Sequence, residues 1–364
     1  MHRRLSTCLL TATCLGLAAA PADLRANEPP GVVASIPPVG AIAAAIMDGV
    51  GTPTVLLEPG ASPHATSLRP SQAEALSKAD LILWIDPEFE IFLDRPLAAL
   101  GGDAQQLALA DAAGVEQLPY REGATFEAHD HDEHGDHDHD EHAEAEHDDV
   151  HEEHAEAEHD HDDDHDEHGE AEHDQDHDHD EQAEKAHDDH AHGEHDLHIW
   201  LSPANARVMA AAIAAELTEL DGDNADRYAA NLAAFDTRLD EVEGEIDGIL
   251  EPAQGQPFIV FHDAYHYFEN HFDIEAAGAV HVVPDVPPSA ARVAEIRDSI
   301  TGAEAVCVFA EQQFEPRLVE TLIDGTQAST GVLDPLGSDV AIGPDAYPEL
   351  LLQIARSLNE CLAG

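Results

Sequence analysis

The stretch 127–196 consists almost entirely of histidine, aspartate, glutamate and alanine, and it divides the chain into what can build a core and what cannot. It holds one valine, Val150, and no leucine, isoleucine or aromatic residue. Such a composition buries too little apolar surface to offset the entropy lost on ordering. A loop this long inside a domain is functional or disordered, and both are expected here. The folded part must therefore come from the residues on either side. About 20 of the 27 histidines lie in the tract, recurring as His-Asp-His. Neutral imidazole is the commonest metal ligand in proteins, and His-rich tracts read as metal binding. A plain acidic insert needs none of these histidines. The tract is expected to gather cations at auxiliary weak sites, for example His129, His131, His137, His139, His177 and His179. Most of its imidazoles should be free to bind at neutral pH, because the unperturbed pKa is about 6.5, although neighbouring carboxylates raise it.

Met1-His2-Arg3-Arg4 followed by small and apolar residues to Ala20 reads as a secretory signal peptide, with small-residue cleavage sites before residue 27. Residues 1–26 are excluded from the fold on that basis. Cys8 and Cys14 leave with the signal, and Cys307 and Cys361 remain. An even count in an exported protein implies a disulfide; two unrelated buried thiols are the alternative. The net charge is −62, of which the tract carries about −33. A surface this acidic excludes nucleic acid as a partner, since its binders need a basic footprint, and it favours attraction of cations.

The remaining chain alternates short strands with helices. Before the tract, Val32–Ile36, Thr54–Leu57 and Ala79–Ile85 read as strands, and Val39–Met47 and Ser71–Ser77 as helices. Ser71 and Glu74 are spaced as a capping box. After it, Ser202-Pro203 opens a helix to about Leu220. A longer helix from Asp223 to Leu250 carries an apolar stripe at Tyr228, Leu232, Phe235, Leu239, Val242 and Ile246. Strand–helix alternation then begins afresh. The expected architecture is α/β, with two similar lobes joined by one long rigid helix: residues 27–221 with the 127–196 loop inside, the link 222–251, and residues 252–364. Sheets of this kind bind ligands beyond the carboxyl ends of their strands, so the interlobe cleft is the expected site.

Three histidines outside the tract stand at strand or loop ends: His64, His198 and His262. A lone histidine in such a place is more often a cap or core residue. Three at equivalent ends, in a chain with this tract, point to metal. Imidazole suits zinc, copper, nickel and iron, whereas carboxylate and water suit manganese. Three histidines with one oxygen donor make a tetrahedral zinc site. Binding should weaken below about pH 6, where protons compete for the same nitrogens. The same donor set describes a catalytic zinc centre, so an exported zinc hydrolase is a rival, although no His-Glu-x-x-His motif is present. A periplasmic zinc buffer is another.

Several motifs occur in order along the chain: Gly60-Ala61-Ser62-Pro63-His64 with Leu68-Arg69-Pro70-Ser71; His198-Ile199-Trp200-Leu201-Ser202-Pro203; Phe261-His262-Asp263-Ala264-Tyr265; Val306-Cys307-Val308-Phe309-Ala310-Glu311; and Asp334-Pro335-Leu336-Gly337. In these the chain resembles the periplasmic zinc-binding proteins of bacterial zinc-uptake ABC transporters. The resemblance implies a Zn2+ site in the cleft, with His64 and His198 from the first lobe and His262 from the second. It makes Asp334 a candidate fourth ligand, because manganese-binding relatives supply a carboxylate there. Pro63 stands where some zinc relatives carry glutamate, so that carboxylate is absent. The resemblance further implies a Cys307–Cys361 disulfide, a monomer, and a membrane permease as partner.

Overall fold

Strand residues alternate between two faces, and that period explains how both sheets are covered. The computed structural model describes residues 28–64, 67–102, 104–121, 126, 195–281, 289–313 and 317–364. The first sheet is parallel, in the order β2-β1-β3-β4, from β1 (Val32–Ala34), β2 (Thr54–Val55), β3 (Leu81–Trp84) and β4 (Gln105–Ala108). Val32, Ala34, Leu81 and Leu83 face the main core, while Val33 and Ile82 face a smaller cluster with Leu76, Leu93 and Leu97. Those last three come from α2 (Pro70–Ser77), the turn after β3, and α3 (Asp94–Leu100).

The second sheet repeats this order as β6-β5-β7-β8, from β5 (Phe258–His262), β6 (Gly278–His281), β7 (Cys307–Glu311) and β8 (Ser329–Leu333), again all parallel. Phe258, Val260, Cys307 and Phe309 face the main core. Ile259, Phe261 and Val308 face a second cluster, closed by Ile296 and Ile300 of α7 (Ala290–Gly302) and by Val319 and Leu322 of α8 (Arg317–Ile323). Both faces of each sheet are thus covered, as parallel sheets require.

The main core runs without a break from one sheet to the other. Among the described residues five helices fill it: α1 (Pro37–Ile46), α4 (Pro203–Leu220), α5 (Ala225–Leu250), α6 (His266–Phe272) and α9 (Ala346–Leu362). The stripe on α5 is buried at Tyr228, Phe235, Leu239, Val242, Ile246 and Leu250, and this helix packs on α1, α4 and α9. At Gly40 of α1 a Cβ would collide with Val55, so only glycine lets that helix lie so close to β2. Cys307 on β7 and Cys361 on α9 are joined by a disulfide, with Cα atoms 6.1 Å apart.

Two local expectations are corrected. α2 begins at Pro70, not Ser71, and its cap pairs Arg69 with Gln72, whose Oε1 accepts from the Arg69 N–H at 2.6 Å. Proline takes the first helical position, so Ser71 is already inside the helix, and Glu74 pairs with Lys78 one turn on. β4 and α3 have no counterpart in the sequence reading: Gln105 and Gln106 are exposed on an edge strand, and Pro96 interrupts the helical pattern of α3. The signal segment, and the tract from 127 to 194 with His129, His131, His137, His139, His177 and His179, lie outside the described residues. Among the described residues no helix is long and apolar enough to cross a membrane.

Because the disulfide closes a long loop and holds α9 on β7, Cys361→Ser should lower the unfolding free energy by about 2–4 kcal/mol. Urea denaturation monitored by circular dichroism measures this; an unchanged midpoint under non-reducing conditions would contradict it.

Candidate metal centre

In each sheet the chain order reverses between the two central strands, and ligand sites form outside the carboxyl ends of strands at such a point. His262 is the last residue of β5 and Glu311 the last of β7. The parallel register pairs Phe258 with Cys307 and Ile259 with Val308. The same offset sets His262 beside Glu311, and His262 Nδ1 lies 2.6 Å from Glu311 Oε1. Across the cleft, His198 precedes a one-turn helix, Ile199–Leu201, which leads into α4. Ser202 caps α4 by accepting from the Asn205 N–H at 3.2 Å. His198 Nδ1 lies 2.7 Å from Asp196 Oδ1, which also accepts the His198 backbone N–H at 3.0 Å. His64 sits in the loop after β2.

The structure brings these three histidines together. His64, His198 and His262 each offer a nitrogen, and the three nitrogens lie within 4.8 Å of one another. His198 Nε2 and His262 Nε2 are 3.4 Å apart. A cavity of about 20 Å³ lies among them, walled by Phe89, Trp200, Pro335 and Leu336. His198 and His262 are buried, whereas His64 is exposed at the rim. Phe89 meets the His64 ring edge-on at 5.0 Å and the His198 ring at 5.5 Å.

The two buried imidazoles are tuned in opposite directions. Burial, and then repulsion from His262, holds the His198 pKa well below the usual histidine value. Burial also works against a charged His262, but the attraction and hydrogen bond of Glu311 outweigh it, and its pKa is raised. Burial pushes the Asp196 carboxyl up to about 7. A carboxylate can only accept, so each Nδ1 donates to its carboxylate and each Nε2 is turned to the shared cavity. Carboxylates in this position orient ligand imidazoles and raise their basicity.

Asp334 does not join the trio. Its Oδ1 accepts from the backbone N–H groups of Leu336 and Gly337 at 3.0 and 3.1 Å, and its Oδ2 from Ser338 at 2.6 Å. Gly337 completes this turn at φ +63°. The turn presents the Pro335 carbonyl to Trp200, whose Nε1–H donates to it at 2.8 Å. Tyr347 on α9 adds a second tie, donating to the Trp200 carbonyl at 2.6 Å. The His198–Trp200 turn is therefore bonded to the second half of the chain.

Three features at the site were not read from the sequence. Asp196 was counted as the last residue of the tract, yet it is buried and orients His198. Leu197, which restarts the apolar pattern, is the signal that would have moved the boundary. The roots of the tract are paired: Pro119 bridges His195 in antiparallel fashion, and the Asp196 N–H donates to the Leu118 carbonyl at 2.8 Å. Glu90 is the third. Its buried carboxylate accepts from Ser35 Oγ at 2.5 Å, from the Ile85 N–H at 3.0 Å and from the Asp86 N–H at 3.0 Å, tying the end of β1 to the loop that carries Phe89.

Burial raises the Glu90 pKa from 4.5 to about 7. The folded chain therefore binds this proton more tightly than the unfolded chain. The stabilisation is complete below about 4.5 and is lost as pH rises through about 7. Glu90→Gln removes that dependence. The difference in unfolding free energy between the native protein and the variant should fall between pH 4.5 and 7; a flat difference in urea titrations across that window would refute it.

Comparison with known proteins agrees with this geometry. The family described as zinc-uptake complex component A, periplasmic, matches residues 32–361. The high-affinity zinc uptake system protein ZnuA of Brucella suis biovar 1 (strain 1330) is 47% identical over 338 residues, covering 93% of each chain. The protein of the same name from Yersinia pestis is 39% identical over 331 residues, covering 91% of each. A crystal structure of ZnuA superposes with a TM-score of 0.66 at 25% identity, covering 92% of this chain and all of that one. On a match that spans both sheets and all three histidines of the trio, this chain belongs to the zinc-uptake complex component A family.

Proposed function

We propose that this protein captures zinc in the periplasm and delivers it to the membrane permease of an ABC transporter for zinc uptake. The observation that carries this reading is the convergence of imidazoles from His64, His198 and His262 on one small cavity. Their spacing suits the cation. Two nitrogens each about 2.05 Å from a tetrahedral zinc ion stand roughly 3.3 Å apart, and His198 Nε2 and His262 Nε2 are 3.4 Å apart. An all-nitrogen donor set favours zinc over manganese.

In this reading the three histidines are the protein's ligands, and the remaining tetrahedral position is left to an oxygen donor. Asp334 is the candidate carboxylate, but the backbone groups it already accepts must be released first. Asp196 and Glu311 hold the imidazoles and do no proton transfer, which separates this site from a hydrolytic zinc centre. Residues 27–221 and 252–364 act as two lobes with 222–251 between them, and residues 1–26 direct export. The repeated histidines of the tract collect further zinc ions at weaker sites.

Removing residues 127–194 should leave one tight zinc site, because Asp196 and the roots at Leu118 and Pro119 stay in place. Calorimetric titration of that deletion showing no tight site would defeat the reading. The full chain should bind more than one equivalent, the extra ones weakly. His64→Ala, His198→Ala and His262→Ala should each weaken zinc strongly, while His266→Ala should not. Equal losses at all four positions in a chelator competition assay would overturn the ligand assignment.

A further inference from the structure

Arg121 lies just ahead of the tract, on the segment that leaves the first sheet, and it is almost completely buried. Its side chain is 12% exposed, between Asp263 at 15% and Glu269 at 3%. The guanidinium meets Asp263 as a fork: Nε lies 3.1 Å from each carboxylate oxygen, and a second nitrogen contacts Oδ1. A third nitrogen reaches Glu269 Oε2 at 2.6 Å, an oxygen that also accepts the Ala276 N–H at 3.1 Å. The Phe126 ring covers the guanidinium at 3.9 Å. All five N–H donors of arginine lie in one plane, and a planar fork of this kind fixes both distance and direction.

Both acids belong to the second half of the chain, and Asp263 directly follows His262. The same corner is stitched again nearby. Tyr267 Oη accepts from the Leu118 N–H at 2.8 Å and donates to the Asp196 carbonyl at 2.6 Å. Asp196 in turn orients His198. A continuous set of bonds therefore runs from His262 through Asp263 and Arg121 to the tract roots, and from there through Asp196 to His198.

We propose that Arg121 is a positioning residue for zinc capture, holding the His262–Asp263 corner at a fixed distance from His198 so that the trio is assembled before the cation arrives. This rests on the zinc-capture reading above. Without the fork, the strand end carrying His262 keeps its partner Glu311 and the Tyr267 ties but loses the charged link that fixes Asp263 against the segment leading to His198. The cation must then draw the imidazoles together itself, and affinity falls.

The test compares native protein with Arg121→Met, Arg121→Lys and Arg207→Met, using zinc competition against a fluorescent chelator, stopped-flow zinc release and thermal unfolding. Arg207 pairs with Asp240 and Glu243 between α4 and α5, and it serves as a control for loss of an ion pair outside the site. Arg121→Met should weaken zinc about tenfold or more, as loss of groups that orient metal ligands does, chiefly through faster release. Arg121→Lys, which keeps the charge without the fork, should recover part of the loss. Arg207→Met should change thermal stability and leave zinc affinity as it was. Native affinity and release rate in Arg121→Met would overturn the proposal and leave Arg121 a purely structural ion pair. If that variant does not fold, the charge-balanced Arg121→Met, Asp263→Asn, Glu269→Gln protein takes its place, with the same two outcomes. Failure of the native protein to bind zinc in the same assay would instead strike at the capture function itself.

Discussion

Two imidazole nitrogens do not stay 3.4 Å apart in a buried cavity unless the other nitrogen of each ring is held. The hydrogen bonds of Asp196 to His198 and of Glu311 to His262 supply that hold. Each carboxylate fixes one tautomer and one ring orientation. Each also carries a solvation cost, since burying a carboxylate is expensive unless its oxygens find donors. Asp196 offsets part of that cost with an imidazole N–H and a backbone N–H on Oδ1, while its buried Oδ2 has no hydrogen-bond partner and its pKa rises. The opposed pKa shifts of the two histidines follow directly: the same low-dielectric pocket suppresses charge on both, and Glu311 restores it on one.

The repeated strand order explains why the ligands can meet at all. Each sheet places its chain reversal between its central strands, and each reversal is bridged by a buried carboxylate: Glu90 between β1 and β3, Glu311 between β5 and β7. The first holds the loop that brings Phe89 against His64 and His198; the second holds His262. An apolar core continuous through α1, α5 and α9 joins the sheets, so the two carboxylate-bridged edges are fixed relative to one another by packing as well as by the polar ties at Trp200, Tyr347 and Tyr267. Such a frame lowers the entropy that metal binding must otherwise spend on ordering ligands.

Much of this was legible in the sequence because it rests on periodicity. The stripe on α5, the Ser202-Pro203 start of α4 and the apolar runs of β5 and β7 all follow from local pattern, and His64, His198 and His262 stood out because each marks a strand or loop end. What was not legible depends on contacts between distant residues. Apart from the neighbouring Leu197, nothing local distinguishes Asp196 from the acids before it; its burial beside His198 gives it a role. Glu90 reads as one more surface carboxylate until Ser35, just past the end of β1, donates to it. β4 escaped because its first two residues are exposed glutamines on a sheet edge, where hydrophobic alternation is weak. Arg121 would be taken for a solvent-exposed counterion were its partners not 142 and 148 residues away.

The stem at the tract roots resolves an apparent conflict between a long acidic segment and a finely placed site. The ends of the tract are bonded to each other, through Pro119 with His195 and Leu118 with Asp196, and to the second half of the chain through Tyr267 and Arg121. These bonds hold Asp196, and through it His198. The two buried imidazoles are in this way held by bonds among residues distant in sequence, at the stem and on either side of it.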